Sequence, residues 1–103
     1  MPTTEGEGRA LAPGLLDRIA TLQKGEITEC QIYRSLASIV RDPGNRSVLQ
    51  KMADEEYGHY SIWKRYTGRE IGPDRGKVAF YSLVSRLFGL TFGIKLMEMR
   101  ESE

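Results

Sequence analysis

The chain has 103 residues, a formal net charge of +1, and 28% charged residues of both signs. This length allows one small domain with a limited core, and the balanced charge gives no basic patch for nucleic acid. The single cysteine, Cys30, excludes an internal disulfide and the paired-cysteine metal sites. Because no charged segment followed by an apolar one marks the N-terminus, we expect a cytoplasmic protein.

The first predicted elements are a flexible N-terminal arm over residues 1–13 and a long helix after it. The arm contains glycine and proline without an apolar periodicity. The helix is predicted from about Pro13 or Gly14 to Arg41, and a glutamate interrupts its apolar stripe near mid-helix. The stripe consists of Ile19, Leu22, Glu26, Glu29 or Cys30, Tyr33, Leu36 or Ala37, and Val40.

A short turn separates this helix from the second one. Pro43 lacks an amide donor and disfavours helix at Asp42, so the pair ends one helix and starts the next as N-cap and first residue. Such a turn predicts an antiparallel hairpin over residues 14–68. The second helix is predicted to end at Thr67, before a left-handed Gly68. Its core-facing stripe reads Asn45, Leu49, Met52, Glu56, His59, Trp63 and Tyr66.

Ionisable residues in the two stripes predict a metal site. Glu56 and His59 are three residues apart, so a helix places them on one face. A buried carboxylate is unfavourable without a partner such as a cation, and the short turn brings Glu26 to a similar height. A solvated glutamate pair beside a hydrogen-bonded histidine is the alternative. One helix with Glu and another with Glu-x-x-His supply half of the ligands of a di-iron carboxylate bundle.

Two glycines adjoin the predicted ligands, Gly25 before Glu26 and Gly58 before His59. Each glycine in a helix interior is unfavourable by about 1 kcal/mol relative to alanine. Two interpretations remain open: the glycines allow close helix approach near a metal, or they are tolerated on an outer face.

The last predicted elements are a loop over residues 69–76 and an apolar third helix over residues 77–103. Apolar residues fall on nearly every face of this helix, which is typical of burial on more than one side. Its basic and hydroxyl residues make a transmembrane span unfavourable. We therefore favour a packed or exchanged helix over a membrane-surface one. The Gly89-x-x-x-Gly93 spacing is weakly indicative of close helix packing.

The motifs in chain order are Glu26-x6-Tyr33, Asp42-Pro43 and Asp54-Glu55-Glu56-x-x-His59. Together they resemble the ferritin-like and rubrerythrin-like di-iron carboxylate family, including the short encapsulated ferritins. The runs over residues 25–34, 60–69 and 89–98 are most similar to the rubrerythrin-like domain found ahead of vacuolar-iron-transporter membrane domains. The resemblance covers residues 20–100.

This resemblance implies an all-α fold in which the hairpin is half of a ferritin-like four-helix bundle, with a third apolar helix beside it and oligomerisation completing the bundle. It implies iron as the cofactor, in a di-iron site shared by two subunits. Glu26 would bridge or cap iron, Glu56 would bridge, and His59 would be a terminal nitrogen ligand. Tyr33 would hydrogen-bond a ligand carboxylate from just outside the metal shell. Glu29 would be an extra or entry carboxylate, or else a flank residue in water.

The sequence departs from a complete family bundle, which carries a second Glu and a second Glu-x-x-His. Glu98 or Glu101 matches the third-helix glutamate, but the chain has one histidine. We expect either that a second copy completes the site or that the sequence is part of a longer protein.

Two functions are therefore expected. The first is a homodimer or larger even-numbered assembly that oxidises Fe(II) to Fe(III) for iron storage or detoxification, with Glu29 or Glu55 passing iron inward. The second is a non-catalytic iron-sensing or docking module of a membrane iron transporter or an encapsulating shell.

Overall fold

The computed structural model describes residues 12–101, without the side chains of Pro13, Arg100 and Glu101, and all regular structure in this range is helical. The prediction of an all-α chain is confirmed. Within the same range, no helix combines the length and apolar character needed to cross a membrane. The predicted arm lies outside the described residues up to residue 11. Four helices follow in order: α1 (Pro13–Ile39), α2 (Pro43–Thr67), α3 (Arg75–Phe88) and α4 (Leu90–Glu101).

The connection between α1 and α2 follows from the chemistry of Asp42 and Pro43. Asp42 accepts a hydrogen bond from the Asn45 amide at 2.8 Å, and Pro43 occupies the first helical turn. The backbone is extended at Val40 and again at Asp42. As a result α1 ends at Ile39, slightly before the predicted end.

The far end of α2 is tied back to the first half of α1. Gln23 is fully buried, and its side-chain oxygen accepts a hydrogen bond from the Thr67 hydroxyl at 2.6 Å. Its amide nitrogen donates to the Arg69 carbonyl at 2.8 Å. Helix α2 ends at Thr67, and Gly68 after it has a φ of +65°, which is the predicted left-handed conformation. These bonds pair an early residue of α1 with late residues of α2, so the two helices run side by side in opposite directions.

Helix α1 packs against both α2 and α3, and this alters the predicted core stripe. Leu22, which the pattern places in the core, is 52% exposed, whereas the neighbouring Gln23 is buried. The amide is acceptable inside the protein because both of its polar atoms are hydrogen-bonded. A hydrophobic cluster of buried residues joins α1, α2, α3 and α4: Ile27, Cys30, Ile32, Tyr33, Leu36, Ala37, Leu49, Ala53, Tyr60, Tyr81 and Met97.

The predicted single third helix is two helices. Helix α3 begins at Arg75, because Asp74 accepts a hydrogen bond from the Lys77 amide at 3.1 Å and caps it. It ends at Phe88, before Gly89 with a φ of +99°. Side chains strongly disfavour this conformation, so glycine permits the break that apolar patterning does not reveal.

The second glycine of the Gly89-x-x-x-Gly93 spacing sits at a close helix approach. Gly93 is buried, and a Cβ added there would overlap the Ser85 hydroxyl and lie 3.2 Å from its Cβ. Helix α4 therefore folds back onto α3 at a point where only a hydrogen atom fits. Both glycines of this spacing therefore have a role within one chain: Gly89 allows the break between the helices, and Gly93 allows their close contact.

Candidate metal centre

Three predicted ligands meet between α1 and α2. Glu26 comes from α1, Glu56 and His59 from α2, and the ligand atoms they offer all lie within 4.8 Å of one another. His59 Nδ1 is 3.0 Å from Glu56 Oε1 and 3.4 Å from Glu26 Oε2. The structure thus brings together two carboxylates and an imidazole, which we call the acid–histidine cluster.

The cluster opens to solvent on its histidine side. The side chains of Glu26 and Glu56 are 21% and 17% exposed, whereas that of His59 is 56% exposed. The predicted stripe of α2 pointed His59 at the core. The buried residues of α2 are Leu49, Ala53 and Tyr60, so the helix is rotated and His59 lies at the rim.

Trp63 supports the cluster, a role that the sequence analysis missed. Its indole nitrogen donates a hydrogen bond to Glu26 Oε2 at 3.3 Å. Trp63 follows His59 by one helical turn, and this spacing, which places both residues on one face of α2, was the available sign that Trp63 lies near the cluster. Its partner is 37 residues away in the sequence, and nothing local in the sequence identifies that partner.

The two carboxylates have opposite pKa shifts. Burial, followed by the charge and the hydrogen bond of Glu56, raises the pKa of Glu26 above its usual range. Burial also acts to raise the pKa of Glu56, but hydrogen bonds from Glu29, His59 and Glu26 outweigh it and lower that pKa. The raised pKa favours the protonated form of Glu26, and the lowered pKa favours the ionised form of Glu56.

Glu29 belongs to the same acidic group through its hydrogen bond with Glu56. It is half-buried and also lines a pocket of about 290 Å³ between α1 and the start of α3. A third carboxylate thus adjoins the cluster on the α1 side.

The remaining predicted residues lie away from the cluster. Tyr33 is buried in the hydrophobic core and is outside the three-residue ligand group, so its part in the site stays a prediction. Glu55 is exposed on α2, and Glu98 is exposed on α4. A Cβ at Gly25 or at Gly58 would meet no atom within 4 Å, so no close contact inside the described part of the chain requires these glycines.

The cluster fits a divalent transition-metal ion. Metal bonds to imidazole nitrogen and carboxylate oxygen are about 2.1 Å long, so two ligand atoms at right angles are about 3 Å apart. The separations of 3.0 and 3.4 Å from His59 Nδ1 are close to this value. Oxygen and nitrogen donors without a thiolate suit iron, manganese or zinc, and three protein ligands leave positions open.

Comparisons with known protein families, curated proteins and solved structures found no match to this chain.

Proposed function

We propose that this protein binds Fe(II) at the acid–histidine cluster and that two copies together oxidise it to Fe(III). The observation that carries the proposal is the meeting of Glu26, Glu56 and His59 across two helices, with ligand atoms within 4.8 Å. Mixed carboxylate and imidazole ligation with open positions is the ligand chemistry of oxygen-reactive iron proteins. The sequence resemblance to ferritin-like proteins, whose motifs include these three residues, points to the same metal.

A second copy is proposed because one chain supplies half of a paired site. The open side of the cluster is bordered by exposed apolar side chains. Leu22 lies one helical turn before Glu26, and Ile62 lies three residues after His59; they are 52% and 43% exposed. Leu15 and Val48, also exposed, extend this edge.

A two-fold contact over this edge would cover the apolar residues and bring a second Glu and Glu-x-x-His to the first. The α1–α2 pair would then be half of a ferritin-like four-helix bundle.

The electron count supports a paired site. Each Fe(II) gives up one electron, and two electrons with two protons reduce one O₂ to hydrogen peroxide. The carboxylates of Glu26, Glu29 and Glu56 favour the higher charge of Fe(III) over that of Fe(II), which makes the oxidation more favourable. Glu26 would bind the substrate ion as the carboxylate, because a metal ligand must be deprotonated. His59 Nδ1 supplies the neutral nitrogen ligand.

Oxidation of Fe(II) in air tests the proposal. Wild-type protein should accelerate formation of ferric absorbance, and Glu56→Ala and His59→Ala should reduce the rate to the protein-free level. Glu55→Ala is the matched control, because this neighbouring glutamate is exposed and outside the ligand group.

Tight Fe(II) binding without turnover in the wild type would instead support an iron-sensing or docking module. An effect of Glu55→Ala without one of Glu56→Ala would contradict the assigned ligands.

A further inference from the structure

Helix α3 carries an apolar stripe on the side turned away from the protein core. Phe80, Leu83 and Leu87 follow the i, i+3, i+7 spacing of one helical face. They are 51%, 55% and 67% exposed, whereas Tyr81 and Ser85 on the opposite face are buried. We call Phe80, Leu83 and Leu87 the outer stripe. An amphipathic surface helix normally has the reverse arrangement, with polar residues outward.

Exposed phenylalanines at the junction of α3 and α4 enlarge this apolar surface. Phe88 and Phe92 are 67% and 52% exposed, and their ring centroids are 5.5 Å apart. With side-chain areas of about 150–250 Å² for large apolar residues, the five residues expose on the order of 500 Å². That is near the upper end of what monomeric proteins show, and patches of this size mark binding surfaces.

Between Asp74 and Glu98 the same segment carries only cationic charges. Residues 75–97 contain Arg75, Lys77, Arg86 and Lys95 and no aspartate or glutamate. Helical spacing places Lys77 on one side of the outer stripe and Arg75 and Arg86, eleven residues apart, on the other. None of the four forms an ion pair with another residue in the described part of the chain. Their charges are therefore available to an anionic partner.

We propose that the outer stripe binds the surface of a membrane rich in anionic lipids. Apolar side chains of this kind enter the boundary between headgroups and acyl chains, while flanking Lys and Arg contact the headgroups. The helix lies on the surface and does not cross it. The binding is independent of iron and of the acid–histidine cluster, which is formed between α1 and α2.

The charges favour a lipid surface over a second copy of the chain on this face. A two-fold contact through the outer stripe would bring the cations of two copies together. Residues 75–97 offer no carboxylate to pair with them, and Asp74 and Glu98 lie at the two ends of this segment, so the contact would be opposed by like-charge repulsion. An anionic membrane instead satisfies the apolar stripe and its cationic flanks at the same time.

Sedimentation with lipid vesicles tests this proposal on the full, iron-free chain. With vesicles of equal parts phosphatidylglycerol and phosphatidylcholine in low salt, we expect most of the protein to co-sediment. With pure phosphatidylcholine, or in about 0.5 M NaCl, which shortens the range of charge interactions to a few ångströms, binding should drop at least tenfold. Equal binding to both vesicle types, or no binding to the anionic ones, would overturn the proposal.

Variants locate the binding face. Leu83→Ser combined with Leu87→Ser should abolish co-sedimentation, and Lys77→Gln or Arg86→Gln should each weaken it about fivefold. Tyr57→Ser is the matched control, because this tyrosine is a large side chain, 46% exposed, and lies on α2; it should bind like wild type.

Far-UV circular dichroism checks that each variant is folded, and the salt and lipid comparisons on wild type do not depend on any variant. Equal loss of binding in Tyr57→Ser would contradict the assignment. So would a change of oligomer mass in the stripe variant without lipid, since this would show that the face binds another copy.

Discussion

The indole of Trp63 donates a hydrogen bond to Glu26 Oε2, the same oxygen that lies 3.4 Å from His59 Nδ1. The α1 carboxylate is therefore held from α2 by the residue one turn after the histidine. Because the held oxygen already faces the imidazole, little reorganisation is needed when an ion binds.

Replacing Trp63 by phenylalanine tests this positioning. Trp63→Phe keeps an aromatic ring and removes the donor, so Glu26 should lose its fixed orientation. We expect Fe(II) affinity to fall about tenfold, which is the usual effect of losing a partner of a metal ligand. Anaerobic binding of Fe(II), measured by equilibrium dialysis, gives the affinity. Unchanged affinity with unchanged helicity would contradict the role given to the indole.

The shifted pKa of Glu26 predicts a pH-dependent stability of the metal-free protein. Near pH 4 and below, Glu26 is largely protonated in both the folded and the unfolded chain. As the pH rises above 4.5, the unfolded chain ionises first because the folded pKa is raised, so the folded state loses stability. Glu26→Gln should therefore raise Tm at pH 7 by about 2–4 °C and change it little at pH 4.

The pKa of Glu56 is shifted in the opposite direction to that of Glu26, so its effect on stability also has the opposite sign. Its lowered pKa contributes stability that is present above 4.5 and is lost as the pH falls through the folded value. Glu56→Gln should therefore lower Tm at pH 7 in the metal-free protein. Exposed Glu55 provides the control, and Glu55→Gln should leave both melting curves unchanged. A lower Tm for Glu26→Gln at pH 7 would contradict the raised pKa of Glu26.

The sequence alone identifies the three residues of the acid–histidine cluster because helical spacing and a short turn determine their relative heights. Asp42 and Pro43 fix where the chain reverses, and Glu26 and Glu56 then fall at similar levels. Their approach within the ligand group agrees with that prediction. The rim position of His59 depends on how far α2 rotates about its axis, which residues elsewhere in the core determine.

Other features depend on partners distant in sequence. Gln23 is polar, and its burial requires Thr67, 44 residues away, to satisfy its oxygen. Local patterning therefore favours Leu22 for the core instead. The break at Gly89 is missed for a similar reason, since an apolar run gives no sign of a positive φ.

Gly93 and Gly58 form a matched pair for testing the packing of α4. A methyl group at Gly93 would overlap Ser85, and Gly93→Ala should reduce the free energy of unfolding by about 1–3 kcal/mol. At Gly58 it would meet no atom within 4 Å, so Gly58→Ala should increase that free energy by about 0.5–1 kcal/mol. Urea unfolding of the metal-free protein measures both. Equal effects at the two positions would contradict the close contact between α3 and α4.

The exposed apolar side chains beside the acid–histidine cluster predict that the protein forms an oligomer. Wild-type protein should be a dimer or a larger even-numbered oligomer by light scattering, and Leu22→Glu should shift it towards monomer because burying an unpaired charge is unfavourable. The rate of Fe(II) oxidation should fall as the fraction of oligomer falls. Leu83→Glu, on the outer stripe of α3, should leave the oligomer intact. A wild-type monomer at micromolar concentration would contradict the shared site.

The most direct test of the shared iron site is an anaerobic Fe(II) titration, with bound iron counted and the mass of the complex measured under native conditions. Trp63 is the only tryptophan in the chain and lies beside Glu26, so quenching of its fluorescence should follow the same binding curve. We predict one iron per chain, present as two irons in a pair of chains. Absence of bound iron, or two irons held tightly by a single chain, would contradict the account.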